Sequence, residues 1–314
     1  MATTDKRLSI TELDFDDIKS NMKIFLKNQT EFTDYDFEGS GMSALLDVLA
    51  YNTHYLSMNA NLLANEMFID TASLRSSVVS HAKTLGYTPR SARAPIATVN
   101  VNVNTSSVNV ATLSRGAKFS TTINDTTYNF VVATDVTKTR VGGSLVFENL
   151  SLYEGTLVTT RYTVDTANVD QRFIISDSNA DTTTLTVKVQ NSASDSTTTT
   201  YTLATDITQV SGTADNYFLQ EVENGQFEVY FGDGVIGKAV SDNNIVILEY
   251  VVTNKEEANG ASTFTAPSSI GESTDNTVST VTNAIGGAES ETIQSIKFNA
   301  PLDYSSQGRA VTSN

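Results

Sequence analysis

The hydrophobic pattern of this 314-residue chain changes near residue 95, and that change limits the folds open to it. Before that point, apolar residues recur every three to four positions, which is the spacing of an amphipathic helix. Between residues 99 and 104, Val and Asn alternate strictly, as in a strand with one buried face. The pattern predicts an α+β protein: an N-terminal helical bundle region, a β-rich region of antiparallel sandwich- or barrel-like architecture, and a short C-terminal helical segment.

Helices are predicted at three places in the first region. One is expected between Asp14 and Lys27, with acids in its first turn that complement the helix dipole. The next runs from about Met42 to Phe68. The last has Asp70 or Thr71 as its N-cap and ends at Gly86, because glycine readily adopts the left-handed conformation found after a helix.

The segment 89–95, PRSARAP, is predicted to be a linker between the helical and β-rich regions. It has two prolines and two arginines, Arg90 and Arg93, which stand out in an acidic chain. These arginines fit either contact with an acidic partner or ordinary solvated linker charge.

The helix at 42–68 has two apolar stripes, which predict burial on more than one side. The first stripe consists of Met42, Leu45, Leu49, Leu56, Ala60, Leu63 and Met67, the second of Val48, Tyr51, Tyr55 and Leu62, and the remaining face has Asn52, Asn59, Asn61 and Asn65. Two interpretations remain open: the core of a bundle within this chain, or a helix shared with another subunit. The expected partner interface comprises Leu45, Leu49, Asn52, Tyr55, Leu56, Asn59 and Leu63.

Strand-like runs recur every 8–15 residues through the β-rich region, separated by Asn, Asp, Gly and Ser. The Thr-rich run at 191–200 is expected to be a long hairpin loop. A helix is predicted to begin at Ser290 and Glu291 and to stop at Pro301. The predicted domains are 1–95, 96–285 with an inserted β subdomain near 148–218, and a C-terminal helical region from 286 that is truncated at 314.

Composition excludes several classes of function. The chain has 36 acids and 20 bases, a net charge of −16, so it is predicted to bind neither nucleic acid nor an anionic membrane surface. Cys is absent and only His54 and His81 are present, so no metal site and no cofactor is expected. No apolar run approaches the ~18 residues of a membrane span and no signal peptide is evident, which predicts synthesis in a cytoplasm.

FGDGVIGKAV is the motif that most resembles a catalytic or nucleotide-binding sequence. Gly232, Gly234 and Gly237 satisfy the spacing of a dinucleotide-binding loop, and Lys238 completes most of a phosphate loop. A phosphate loop needs Ser or Thr directly after the lysine to bind magnesium, whereas this chain has Ala239 at that position. A β-branched run rather than a helix follows, so the motif is predicted to be a strand–glycine loop–strand hairpin.

No catalytic residue is predicted, and the protein is not expected to be an enzyme. Neither His lies near a recognisable nucleophile motif. Asp233 paired with Glu221 or Glu223 stays open as a carboxylate pair for glycoside cleavage, since their separation cannot be read from sequence.

Several stretches together resemble one family, the baseplate J-like proteins of contractile phage tails. The C-terminal stretches are FGDGVIGK, with Phe231, Gly232, Asp233, Gly234 and Gly237 as its hairpin motif, VVTNKEEANGAS, GGAESETIQSIKFNAP and QGRAVT. Residues 13–95, which include ALLDVLAYNTHYLSMNANLLANEMF, are similar to the T-even-type baseplate wedge proteins of that family. The resemblance is strong at 13–95 and 226–312 and weaker between them.

The resemblance implies a structural subunit of the virion. Its N-terminal helices would bundle with those of a second copy and of other wedge proteins, and the wedges would form a ring around the tail hub, next to the sheath-initiating components. Assembly would take place in the host cytoplasm. Family members continue beyond QGRAVT, so a fragment of a longer protein is expected.

An alternative is a glycan-binding or glycan-cleaving β-rich surface module. The Thr-rich strands and the acidic charge favour it. The absence of Trp argues against it, because aromatic rings commonly form the platforms on which sugars stack.

Overall fold

The computed structural model describes residues 14–29, 31, 35–36, 39–204 and 210–306. The chain divides into two compact units: a helical unit of 1–87 together with 293–314, and a β unit of 88–292. The sequence-based boundaries fall at 95 and 285, and the QGRAVT motif lies outside the described residues.

In the helical unit the helices are α1 (Phe15–Lys27), α2 (Gly41–Glu66), α3 (Arg75–Thr84) and α4 (Ile293–Ser306). The Asp14 carboxylate caps α1 by accepting a hydrogen bond from the Asp16 N–H at 2.8 Å. The predicted N-cap of α3 at Asp70 or Thr71 is wrong: Leu74 occupies the cap position and offers no side-chain acceptor.

α3 and α4 bury a small core between them. It comprises Ala72, Val78, Val79, Ala82, Ile296 and Ala300. The prediction that Pro301 stops this helix is wrong, as is its start at Ser290: the helix begins at Ile293 and continues through Pro301 to Ser306. Proline removes one backbone donor, and the burial of Ile296 and Ala300 against α3 holds the helix around it.

Most of the β unit is strand. The strands are β1 (Ile96–Asn104), β2 (Val110–Leu113), β3 (Lys118–Ile123), β4 (Thr126–Val132), β5 (Val136–Thr139), β6 (Ser144–Glu154), β7 (Thr156–Thr163), β8 (Phe173–Ile175), β9 (Ala180–Gln190), β10 (Thr198–Leu203), β11 (Asn216–Glu221), β12 (Phe227–Phe231), β13 (Ile245–Val252) and β14 (Asn276–Ile285). One-turn 3₁₀ helices occur at Glu223–Gly225 and Lys255–Ala258. The predicted α+β class is confirmed.

A five-stranded antiparallel sheet has the order β14-β1-β6-β4-β3, with β2 and β5 forming a separate ribbon. The segment after the Lys255–Ala258 turn closes this sheet. The Ala284 N–H of β14 donates to the Ala261 carbonyl at 2.9 Å, and Thr265 exchanges two backbone hydrogen bonds with Ser120 of β3. Both edges are therefore covered by the same segment, and the sheet curls around a core that includes Phe119, Phe130 and Phe147.

A seven-stranded sheet is inserted between β6 and β14, with the order β7-β13-β9-β10-β11-β12-β8. Its strands come from 156–252, whereas the subdomain was predicted near 148–218. The Tyr162 hydroxyl of edge strand β7 donates to the Ile174 carbonyl of edge strand β8 at 2.6 Å, so this sheet is also nearly closed. One pair, β10 with β11, is parallel, which corrects the purely antiparallel prediction. The 191–200 run makes the β9–β10 hairpin, as expected.

The segment 89–95 is not a solvated linker, which corrects that prediction. Ser91, Ala92 and Ala94 are buried. The Ala94 N–H donates to the buried Asp181 carboxylate at 2.9 Å, and Arg93 forms a β-bridge with Ala288. Arg90 and Arg93 are exposed, and the Arg90 N–H donates to the buried Glu291 carboxylate at 3.0 Å, so the segment is a packed part of the β unit.

Candidate interface on the second helix

The apolar surface of α2 is largely exposed. Leu45, Leu49, Leu56 and Leu63 are 57%, 50%, 61% and 69% exposed. Tyr55 is 47% exposed, and Asn52 and Asn59 are exposed as well. The seven residues predicted as a partner interface therefore lie together on solvent-facing α2 surface, in the part of the chain that the structure describes.

The prediction that both apolar stripes are buried within a bundle of this chain is wrong. The buried positions of α2 are Ser43, Leu46, Ala50, Asn61 and Ala64. Four of these side chains are small or polar, and Lys19 of α1 pairs with Asp47 of α2 at 2.5 Å. Of the predicted Asn face, Asn61 is buried within the chain and accepts a 2.7 Å hydrogen bond at its carbonyl from the Asn65 amide.

The exposed residues follow a heptad repeat. Leu49, Leu56 and Leu63 are spaced by seven residues, and Leu45, Asn52 and Asn59 form a second line four residues before them. These lines correspond to the a and d positions of a coiled coil, where a period of 3.5 keeps one seam facing a partner helix. We call these six residues the heptad seam.

Aromatic residues flank the seam. The rings of Tyr51 and Tyr55 meet edge to face with centroids 4.7 Å apart, and their hydroxyls lie 3.0 Å apart. The hydrogen bond with Tyr55 raises the pKa of Tyr51 above its ordinary value. The Tyr51 hydroxyl therefore stays protonated and uncharged at neutral pH.

The seam has no charged side chain of its own. In α2 the charged residues are Asp47 and Glu66. Asp47 pairs with Lys19 of α1, and the Glu66 carboxylate accepts a hydrogen bond from the Ser73 N–H at 2.8 Å. Both are engaged within the chain, so the exposed seam of α2 is uncharged.

An open groove of about 510 Å³ lies between α1 and α2. Its apolar walls are formed by Ile18, Met22, Phe25, Leu26, Leu46 and Leu49. Leu49 thus belongs both to the seam and to the rim of the groove, so the apolar surface continues from α2 onto α1.

The glycine motif does not form the predicted hairpin. β12 pairs with β11 and β8, whereas β13 pairs with β7 and β9, so the two strands that flank the motif lie apart in the sheet. No helix follows the loop, which excludes the phosphate-binding interpretation. The residues between them fold as a compact loop in the β unit, whereas the heptad seam belongs to the helical unit.

Each motif residue of this loop has a local structural role. The Asp233 carboxylate accepts hydrogen bonds from the Val235 N–H at 2.8 Å and the Ile236 N–H at 3.1 Å. Gly234 and Gly237 have φ of 89° and 79°, and the Gly234 N–H donates to the Gly237 carbonyl at 2.9 Å. A Cβ at Gly232 would overlap the carbonyl oxygens of Ile236 and Gly237. Phe231 packs edge to face on Phe173 and Tyr201 inside the seven-stranded sheet.

Of the carboxylates considered for glycoside cleavage, Asp233 is hydrogen-bonded within this loop. Hydrogen bonds from the Ile236 and Val235 N–H groups lower the pKa of Asp233, which favours its ionised form. Glu221 is buried in β11. A raised pKa, as a general acid needs, is therefore not found at Asp233.

Two further observations concern the described residues. They bring no three His, Asp or Glu side chains together as a metal site would. None of their helices combines the length and apolarity needed to cross a membrane.

Comparison with known proteins assigns both units. Residues 14–87 match the family model described as baseplate wedge protein gp6-like, helical domain, and residues 157–261 match that of the bacteriophage baseplate wedge protein gp6, third domain. The chain is 31% identical over 324 residues to baseplate wedge protein gp6 of Enterobacteria phage T4. The chain belongs to the gp6 family of phage baseplate wedge proteins. Membership in this family places it in the tail baseplate of the virion.

The gp6-like chain spans about half of this relative: the alignment covers 95% of the chain and 48% of the T4 protein. Among solved structures, the anti-feeding prophage baseplate contains a chain that aligns over 98% of this one, with 12% identity and a TM-score of 0.33. The first family match ends at residue 87, and the structure groups α4 with these residues in the helical unit.

Proposed function

We propose that this chain is a non-enzymatic structural subunit of a baseplate wedge, and that its heptad seam packs against the α2 helix of a second copy. The observation that carries the proposal is the exposure of Leu45, Leu49, Leu56 and Leu63 on one seam of a 26-residue helix. Burial of each leucine contributes about 2 kcal/mol. Four leucines from each copy are enough to offset the loss of translational and rotational freedom on association.

The asparagines favour a parallel, in-register arrangement. In a parallel pair, equivalent positions meet, so Asn52 faces Asn52 and Asn59 faces Asn59 of the second copy, and each amide can both donate and accept. In an antiparallel pair, a positions meet d positions, so Asn52 would face Leu56 and Asn59 would face Leu49. Buried amides without a partner cost about 1–3 kcal/mol each.

The absence of charged side chains on the seam also supports a second copy as the partner. Two copies of a seam with no charged side chain bring no like charges together, despite the net charge of −16 of the whole chain. The second apolar stripe, with Val48, Tyr51, Tyr55 and Leu62, stays exposed beside such a pair. We assign this stripe to a helix of another wedge protein. We also propose that the assembled wedges form the ring around the tail hub and contact the sheath-initiating components.

Cysteine cross-linking tests the arrangement, because the chain has no cysteine of its own. Asn52→Cys and Asn59→Cys should each form a disulfide-linked dimer on mild oxidation, since equivalent positions meet in a parallel seam. Met58→Cys, exposed on α2 but outside the seam, is the matched control and should stay monomeric on a non-reducing gel.

Sedimentation of the unmodified chain at micromolar concentration supplies the second measurement. The proposal expects a dimer or a larger assembly. A monomer that remains folded, with no cross-linking at 52 or 59, would contradict it.

A further inference from the structure

The seven-stranded sheet is attached to the five-stranded sheet by two chain crossings. The chain leaves the five-stranded sheet at the end of β6, passes Gly155 and enters β7, and it returns after the end of β13. These crossings are adjacent, because Thr156 pairs with Val252 in the β7–β13 ladder. A body attached through two adjacent strands can rotate about that connection unless something fixes it.

Glu154 fixes the connection. It is the last residue of β6 and is fully buried. Its carboxylate accepts hydrogen bonds from the Thr253 hydroxyl at 2.7 Å, the Asn254 N–H at 2.8 Å and the Asn254 side-chain amide at 2.7 Å. A carboxylate at the end of one crossing therefore binds three donors at the end of the other. We call Glu154, Thr253 and Asn254 the Glu154 clamp.

The backbone around the clamp is tightly packed. Gly155 has φ of 122°, and a Cβ there would overlap the carbonyl oxygen of Val252. The Gly155 N–H donates to the Asn129 carbonyl of β4 at 2.8 Å, and the Thr253 N–H donates to the Asn179 carbonyl at 3.1 Å. Each crossing is thus held to the sheet it leaves, and the clamp joins the crossings to each other.

Contacts at a distance from the crossings resist rotation further. The Arg115 guanidinium, in the turn after β2, donates to the Ala133 carbonyl at 2.7 Å and also to the Thr184 carbonyl of β9 at 2.8 Å. The buried Asp181 of β9 accepts from the Ala94 N–H at 2.9 Å. These contacts join the two sheets at points away from the clamp.

We propose that the Glu154 clamp makes the connection between the two β bodies rigid, and that its loss lets the connection at 154–156 and 252–255 flex within the range that the Arg115 and Asp181 contacts still allow. The physical reason is that the carboxylate satisfies three buried donors at once, each of which would be left without an acceptor in any rotated arrangement. This inference concerns the β unit alone and does not depend on how the helical unit associates.

Two variants test the clamp by hydrogen exchange of the full chain. Glu154→Ala leaves all three donors without an acceptor, and we expect amide exchange at 154–156 and 252–255 to be about tenfold faster. Thr253→Val removes one donor and should give a smaller, local increase. Glu148→Gln, at an exposed acid on the same strand, is the matched control and should leave exchange unchanged.

The distribution of distances between two spin labels directly reports the motion of one β body relative to the other. Labels attached through Ser106→Cys in one body and Ser196→Cys in the other use exposed positions in a chain that has no other cysteine. We expect one narrow distance distribution with Glu154 present and a broader one with Glu154→Ala, in which the Arg115 and Asp181 contacts still limit the motion. The inference is overturned if the width is the same in both, or if Glu154→Ala and Thr253→Val both raise exchange throughout the β unit, since Glu154 would then be an ordinary core residue.

Discussion

The Glu66 carboxylate accepts hydrogen bonds from both the N–H and the hydroxyl of Ser73, at 2.8 and 2.7 Å. Glu66 ends α2, and Ser73 directly precedes Leu74, the cap residue of α3. The same carboxylate reaches the Leu74 N–H at 3.3 Å. An acid at the end of one helix therefore supplies the N-terminal cap that the sequence of the next helix lacks.

This contact predicts a pH-dependent stability of the helical unit. Burial raises the pKa of Glu66, but the hydrogen bonds from Ser73 and Leu74 lower it by more, to about 2 against an ordinary value of 4.5. Because the folded-state pKa is depressed, the stabilisation is complete above about pH 4.5 and is lost as the pH falls towards 2. Glu66→Gln should cost about 1 kcal/mol at pH 7 and progressively less below pH 4.5.

Urea unfolding of both proteins at several pH values, followed by far-ultraviolet circular dichroism, measures this difference. Asp70→Asn, at an exposed acid of the same unit, is the control and should show no such trend. A difference in stability that stays constant from pH 7 to pH 2.5 would argue against the capping role.

Leu56→Asp should abolish self-association. Leu56 is at the centre of the heptad seam and 61% exposed in the single chain, so the substitution leaves the fold of one copy intact but places a charge at a packed interface. We expect sedimentation to show a monomer with unchanged circular dichroism, and the same for Leu49→Asp. Leu203→Asp, at a leucine that is 45% exposed on β10, should associate like the unmodified chain. Dimers that persist in both α2 variants would exclude the seam as the contact.

Replacing both seam asparagines should strengthen association but relax its geometry. Asn52→Leu with Asn59→Leu removes the amides that make the parallel register preferable, and an all-apolar seam also tolerates other registers and larger oligomers. We expect a lower dissociation constant together with a mixture of oligomers in light scattering. A single dimeric species with the original affinity would show that the asparagines do not select the register.

Arg115→Lys should destabilise the β unit by about 2 kcal/mol, although the charge is conserved. The guanidinium donates to four acceptors on two sheets: the Ala133, Thr184 and Glu249 carbonyls and the Thr186 hydroxyl. A single ammonium cannot reach them all. Thermal unfolding should show the loss, and Arg161→Lys, on the exposed face of β7, should leave the midpoint unchanged. Equal midpoints for the two variants would contradict this role.

Substitutions at two glycines of the loop should distinguish the cost of steric overlap from the cost of a positive φ. Gly232→Ala places a Cβ against the carbonyl oxygens of Ile236 and Gly237. We expect the free energy of unfolding to fall by about 3 kcal/mol, as at other overpacked sites, or the loop to be displaced. At Gly234 there is open space and a positive φ, so Gly234→Asn should cost only about 1 kcal/mol. The two thermal midpoints provide the comparison, and a reversed order would refute the assignment.

The sequence predicted local structure well where the chain's own neighbours determine it. The alternation of Val and Asn in β1 places Val99, Val101 and Val103 at zero exposure, as a period of two requires. The helix from 42 to 68 and the end of α3 near Gly86 also follow from local spacing and glycine chemistry. The resemblance to wedge proteins depended on contiguous motifs, which need no tertiary information.

The predictions that failed depended on distant contacts. The glycine motif resembles a hairpin, but β9, β10 and β11 lie between β12 and β13 in the sheet. β12 pairs with β11 and β8, and β13 pairs with β7 and β9. The segment 89–95 resembles a linker, but Asp181, about ninety residues later, buries it. The clamp at Glu154 gave no signal at all, since its donors lie a hundred residues away.

By itself, the sequence determined the helical and β-rich division and the apolar spacing along α2, because periodicity acts over a few residues. Only the tertiary structure decided which face of α2 stays exposed. A two-striped helix gives the same pattern whether its partners are in the chain or outside it. The structure buries the small residues Ser43 and Ala50 of α2 and leaves the seam leucines in solvent.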